Sequence, residues 1–248
     1  MLETFQLVAQ LDLSGWAILV VAAALIGFGK TSIGGLGMIS VALLALVLPT
    51  KDSTGAALLL LLTGDLVAIW IYRKHADFRL IGRLILPVLT GIGLGAVFLA
   101  LVDDLILRRT IGAILVVLLV LGFWREKLRP HHPAVGAAYG GLAGFTTMVA
   151  NAGGPAMNLY LLAARYDKWR FLGTTAWFFF AVNLTKLPIS IGLGIIRPEI
   201  VGLALVVVPV VLVGTWVGRL VIGHIDQRLF ERLVTAFVGL AALYLLVG

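Results

Sequence analysis

The sequence predicts an all-α, polytopic membrane helix bundle of eight to ten membrane elements, built as two inverted repeats whose first helices are interrupted or re-entrant. Three observations predict it. Only 12% of the 248 residues are charged while 61% are hydrophobic, and the mean hydropathy is +1.09; a soluble domain carries about 25% charged residues, so a water-facing surface cannot be covered from this stock. The apolar residues fall in blocks close to the ~20 residues that cross a hydrocarbon core. Runs such as 84–101, 110–124 and 200–218 also lack the alternation of outer-membrane strands. The third observation is that the pattern of blocks occurs twice.

In order, the first set covers 11–29, 36–48, 54–72, 80–101 and 104–124, and the second covers 134–149, 155–164, 170–187, 198–222 and 227–247. This divides the chain into a first repeat at 1–124, a polar cytoplasmic linker at 125–133 and a second repeat at 134–248. Residue matches in the same order support duplication. Gly27-Phe28 answers to Gly144-Phe145, Gly34-Gly35-Leu36-Gly37-Met38 to Gly153-Gly154-Pro155-Ala156-Met157, Pro87 to Pro209, Gly95 to Gly218, and Asp104 to Asp226. Gly91, Gly95, Gly214 and Gly218 are expected to serve close helix packing through small residues.

Lys and Arg near membrane ends stay on the cytoplasmic side. Four clusters, Arg73/Lys74/Arg79/Arg83, Arg125/Lys127/Arg129, Arg165/Lys168/Arg170 and Arg219/Arg228/Arg232, are all cytoplasmic if the first repeat starts outside and the second inside. Arg108 and Arg109 dissent by falling in an external loop. The formal charge of +7 is thus explained by loops, and nucleic acid is not expected as a partner. No cysteine is present, which removes disulfides, thiolate metal sites and cysteine nucleophiles. The N-terminus has no basic region before its apolar stretch and reads as mature. A multi-pass protein of a bacterial inner membrane is expected, with the lipid bilayer as its surroundings and a homodimer permitted by its glycine-rich faces.

The first element of each repeat is interrupted at matching places, by Gly29-Lys30-Thr31-Ser32-Ile33-Gly34-Gly35 and by Thr146 to Pro155. Paired, short, Gly/Pro-broken segments are the best sequence pointer to a transporter site, because unwound backbone and helix N-termini can coordinate an ion there. Charges inside the blocks are few, and centring one costs about 2.5–3.5 kcal/mol on insertion scales. Lys30, Asp65 and Lys186 qualify. Lys186 aligns with Asp65 in the other repeat, so a pair between the two is one structural expectation. Functionally, Lys30 and Lys186 attract an anion, and Asp65 serves coupling by taking up a proton. Asn183 shares a face with Lys186 one turn away, and Asn151 and Asn158 flank the second break with amide donors. The candidate binding set is Lys30, Thr31, Ser32, Gly34, Gly35, Asn151, Gly153, Gly154, Asn158, Asn183 and Lys186. His75, His131, His132 and His224 read as loop histidines, and Trp169, Trp177 and Phe178 to Phe180 as belt or packing aromatics. Gly29-Lys30-Thr31 lacks the upstream glycine of a phosphate-binding loop, so no ATPase is encoded. No cofactor or metal site is expected.

On GFGKTSIGGLGM in the first half and GFTTMVANAGGPAMNLYLL in the second, the chain resembles the sulfite exporter TauE/SafE family, also called the 4-toluene sulfonate uptake permeases, over nearly its whole length. The family's breaks typically carry a Gly-Gly-Gly run, where this chain has GGLG and GGPA. The resemblance implies permeation of sulfite, sulfonates or related sulfur anions without ATP hydrolysis, and it places the binding region at Gly34, Gly35, Asn151, Gly153 and Gly154. The expected function is a secondary transporter, not an enzyme. It moves a small sulfur anion (sulfite, a sulfonate or a sulfoacetate-like species) by alternating access, coupled to protons or sodium. A passive anion channel, or a carrier of another small organic anion, is the competing reading.

Overall fold

The computed structural model describes residues 11–33, 36–102 and 132–236. The expected block at 104–124, the linker up to residue 131 and the glycine pair Gly34-Gly35 lie outside the described residues. Every described element is helical. Helix α1 (Leu13–Thr31) opens on Asp12, whose carboxylate accepts from the Gly15 N–H, and α2 (Leu36–Val47) closes just before Pro49. Helix α3 (Thr50–Tyr72) runs into a short 3-10 turn at Arg73–His75, and α4 (Phe78–Leu101) is capped by Asp77, which accepts from the Leu80 N–H. In the second half come α5 (Pro133–Ala150), α6 (Gly154–Ala163), α7 (Lys168–Gly192), capped by Asp167, and α8 (Pro198–His224). A further helix begins at residue 227 and is described to residue 236.

Elements agree with the expected blocks to within a few residues, and the differences have physical causes. Helix α3 begins at Thr50 because its first turn, Lys51-Asp52-Ser53, is polar and escapes a reading by hydropathy. Helix α7 continues through Pro188 to Gly192, since one proline removes a single ladder bond without stopping a helix packed on its neighbours.

Among the described residues, four helical stretches, in α1, α3 with its 3-10 turn, α4 and α8, are long and apolar enough to cross a membrane. Leu86, Leu94 and Val97 on α4 and Leu205, Val206, Val213 and Trp216 on α8 are exposed, whereas Asp65, Asn158, Asn183 and Lys186 are buried. Apolar outside and polar inside is the arrangement that hydrocarbon imposes. The chain is a multi-pass helical membrane protein.

Glycine contacts fix the helix directions. A Cβ on Gly27 would lie 2.1 Å from the Val211 carbonyl oxygen, one on Gly214 would lie 2.3 Å from that of Ala24, and one on Gly218 would lie 2.6 Å from that of Phe28. With Gly27 also against the Thr215 N–H and Gly218 against the Thr31 hydroxyl, successive turns from Ala24 to Thr31 meet successive turns of α8 up to Gly218, and the two helices run parallel in backbone contact. The same holds for α4 and α5: Gly144 approaches the Val88 oxygen at 2.2 Å, Gly91 that of Gly141 at 2.2 Å, and Gly95 that of Phe145 at 3.1 Å. Gly91, Gly95, Gly214 and Gly218 are packing glycines. Helix α3 starts beside α8, where Gly55 abuts the Ile195 carbonyl, so these two also run the same way. Because α4 turns back directly after α3, α1 and α5 run in opposite directions.

Ion pairs tie the two ends of the bundle. At one end Arg170 donates to Asp77 at 2.6 Å, and the Tyr166 hydroxyl donates to the same oxygen at 2.6 Å. Arg197 donates to Asp52 at 2.6 Å at the other end. Burial works to raise the Asp77 carboxyl, but the hydrogen bonds from Tyr166, the Leu80 N–H and Arg170, with the Arg170 charge, outweigh it and hold the carboxyl at about 2.

Substituting alanine at Gly27 or Gly144 forces backbone apart and is expected to destabilise the protein by about 1–3 kcal/mol, read as a lower thermal midpoint in detergent. Gly93→Ala, where a Cβ meets nothing within 4 Å, serves as the neutral control. Since Asp77 titrates lower in the folded state than the roughly 3.9 of an unfolded aspartate, its stabilisation is complete above about pH 4 and is lost as pH falls toward 2. A pH series should show that acid-linked loss in the native protein and a smaller one in Asp77→Asn.

Candidate functional site

Helix α1 stops inside the bundle at Thr31, where hydroxyls meet a carbonyl of its own last turn and one of α8. Ser32 donates to the Phe28 carbonyl at 2.6 Å, and Thr31 donates to the Thr215 carbonyl at 2.7 Å. Tyr72 of α3 donates its hydroxyl to the Thr31 carbonyl at 2.5 Å. The end of α5 is made differently. Asn151 adopts a left-handed conformation (φ 53°, ψ 25°), which asparagine tolerates better than most residues, and its N–H returns to Thr147 at 2.9 Å. Helices α2 and α6, of 12 and 10 residues, follow the breaks. At the helical rise these are about 18 and 15 Å long, too short to cross a bilayer core.

Between the breaks lies a cavity of about 70 Å³, lined by Lys30, Asp65, Thr147, Asn151, Asn158 and Asn183 on its polar side. Ile26, Leu61, Leu172, Ala176 and Phe179 form its apolar wall. Since one water needs roughly 10–15 Å³, the space admits a few waters or one small oxyanion. Gly37 and Gly154, each in the first turn of a short helix, also line it, so backbone and the positive ends of two helix dipoles border the space.

The charges are arranged around one carboxylate. Asp65, fully buried in α3, accepts from Lys30 of α1 at 2.5 Å and from Asn183 of α7 at 2.7 Å. Lys186 lies one turn beyond Asn183 and donates to Asn151 at 2.5 Å and to Thr147 at 3.3 Å. The Asn151 amide in turn donates to the Thr54 carbonyl at 3.2 Å. The expected Asp65–Lys186 pair is therefore corrected: Asp65 takes Lys30, because the end of α1 passes across α3 at Gly64, where a Cβ would come 2.8 Å from the Lys30 side chain. Two ammonium groups and one carboxylate leave this buried cluster with a formal charge of +1.

Asn158 completes the site. It is 1% exposed, lines the cavity, and its Nδ2 has no hydrogen-bond partner among the described residues. A buried donor left unmet costs about 1–3 kcal/mol, which a ligand oxygen would recover.

Of the residues singled out in the sequence, Lys30, Asp65, Asn151, Gly154, Asn158 and Asn183 meet at the cavity. Lys186 stands behind it, holding Asn151. Thr31 and Ser32 are buried but do not line it, their hydroxyls being spent on carbonyls. Gly153 packs with its Cα hydrogens toward the Ala143 carbonyl, which a Cβ would approach to 2.7 Å. Gly34 and Gly35 lie outside the described residues. Among the lining residues outside that set, Thr147 and Phe179 stand beside the lysines. Thr147 occupies the place in its break that Lys30 holds in the other, so the repeat alignment carried its signal. Phe179, read as a packing aromatic, lies with its ring 5.0 Å from the Lys30 ammonium, and nothing in a run of three phenylalanines marks which one does so.

Removing one member of a buried pair leaves the other charge unmet, a loss of about 3–5 kcal/mol. Lys30→Met and Asp65→Asn are each expected to destabilise the detergent-solubilised protein by that order, and the double variant by clearly less than the sum. Additive losses would show that the two side chains are not coupled.

Neither the curated proteins nor the solved structures contain a match to this chain. The family description Sulfite exporter TauE/SafE, a group of membrane transporters, matches residues 19–245. With nearly its whole length so matched, the chain belongs to the TauE/SafE family.

Proposed function

We propose that the chain is a secondary transporter that carries a small sulfur oxyanion, such as sulfite, a sulfonate or a sulfoacetate-like species, across a bacterial inner membrane by alternating access. The observation that carries this reading is the unmet Asn158 amide, which faces a cavity bordered by Lys30 and by the first turns of two short helices. Each of these features asks for an oxygen-rich anion. The formal charge of +1 is neutralised by a monoanion such as a simple sulfonate or hydrogensulfite, and becomes +2, matching the dianions sulfite and sulfoacetate, when Asp65 is protonated; the cavity volume suits a few heavy atoms. In this mechanism Lys30 supplies charge, Asn158 and the backbone of Gly154 supply directed N–H groups, and Lys186 positions Asn151 through the hydrogen bond at its carbonyl. An arriving anion competes with Asp65 for Lys30. Asp65 then takes up a proton, or a sodium ion neutralises it, which couples substrate to a second gradient.

Two inverted repeats provide the motion. Their support is the opposed direction of α1 and α5, together with the exchange of partners in which α1 lies on α8 and α5 on α4. Two similar halves facing opposite ways yield two nearly equivalent states, open to opposite sides.

Counterflow in proteoliposomes tests the reading. Labelled sulfite or a small sulfonate should be taken up faster when the lumen holds unlabelled substrate, and the rate should saturate. Conduction without saturation or counterflow stimulation indicates a channel instead, and no uptake of any sulfur anion removes the substrate assignment. Asn158→Ala should raise KM by about tenfold or more, the worth of one hydrogen bond to a charged group, while Asp65→Asn should abolish proton coupling in the fraction that folds.

A further inference from the structure

The two ion pairs at the ends of the bundle occupy corresponding places in their helices. Asp52 is the third residue of α3 and Arg197 the cap of α8; Arg170 is the third residue of α7 and Asp77 the cap of α4. Each pair therefore joins the first turn of a central helix in one half of the chain to the cap of a peripheral helix in the other half. Both contacts measure 2.6 Å, and both times the first half supplies the acid and the second half the base. Since α3 and α7 run in opposite directions between them, the pairs sit at opposite ends of the route past the central cavity.

Strength separates a clamp from a switch. Arg170 and Arg197 are 51% and 49% exposed at the side chain, and a partly exposed pair biases an equilibrium by only about fivefold. Contacts this weak add little to folding, yet they are well matched to tilting a balance between two states of similar energy. The two ends are also unequal. Asp77 is held in addition by Tyr166 and by the Leu80 N–H, whereas Arg197 is shared with Glu199, 4.0 Å from its Nε.

We propose that Asp52–Arg197 and Asp77–Arg170 are the two latches of the transport cycle, each closing one end of the route, so that opening an end breaks its own pair while the other stays made. This rests on the carrier reading above, in which the halves move against each other. The more heavily held Asp77 latch gives the resting protein a preference for opening at the Asp52 end.

The absence of cysteine from the chain makes the test direct. A single cysteine at Ala176, which lines the cavity, is labelled with a membrane-impermeant maleimide in sealed vesicles of either orientation. Leu61→Cys, also in the lining, is the second reporter. Arg170→Gln is expected to raise labelling several-fold from the face carrying Arg170 and to lower it from the other face; Arg197→Gln should do the reverse. Charge exchange in Asp52→Arg/Arg197→Asp should restore the starting ratio. If both variants shift labelling toward the same face, or neither shifts it at either reporter while the thermal midpoint is kept, the latches are refuted. Labelling needs no substrate, so mirrored shifts in a protein that moves no sulfur anion would retain the latches and remove the substrate assignment alone.

Discussion

Asp65 has no exposed surface within a helix that crosses the bilayer, and such a carboxylate is tolerable because Lys30 and Asn183 reach it from two other helices. That requirement organises the centre of the molecule. Lys30 reaches Asp65 where the last turn of α1 crosses α3 at Gly64, and α1 ends just beyond with carbonyls of that turn met by Ser32 and Tyr72. Asn183 places Lys186 one turn further along α7, and Lys186 in turn fixes the Asn151 side chain at the second break. The carboxylate thereby ties α1, α3 and α7 to one another and, through Asn151, to the end of α5.

The close packing of α1 on α8 and of α5 on α4 does complementary work. Unwound backbone inside a bilayer survives only against protein or a polar cavity, so each interrupted helix needs a continuous one beside it. Glycines at Gly27, Gly214 and Gly218 on one side, and at Gly144, Gly91 and Gly95 on the other, let backbone meet backbone there. The breaks are then held at depth while the first turns of α2 and α6 are left facing the cavity. The Asn158 amide is left without a partner among the described residues, and it lines the cavity.

Most of the spans were legible because hydrocarbon demands long apolar runs, and the breaks were legible because glycine and proline at matched positions have few other uses there. The importance of Asp65, Lys30 and Lys186 was equally plain, since charges in such runs are costly. Their pairing was not. Alignment of the two halves puts Asp65 and Lys186 at corresponding positions, but correspondence in sequence does not bring side chains together in space, and Lys30 is the one that reaches the carboxylate. Thr31 and Ser32 stood in the candidate set beside the break, but their hydroxyls are engaged by carbonyls, one of α8 and one of α1.

By itself the sequence determined the environment, the helical class and the small set of polar residues that must be inside, all of which follow from composition and spacing against the thickness of a bilayer. Only the tertiary structure decided which lysine meets the carboxylate, which asparagine keeps a donor without a partner among the described residues, and which charges pair at the two ends. Those outcomes depend on how helices distant in sequence cross, and the crossing is set by backbone contact at a few glycines that spacing alone cannot orient.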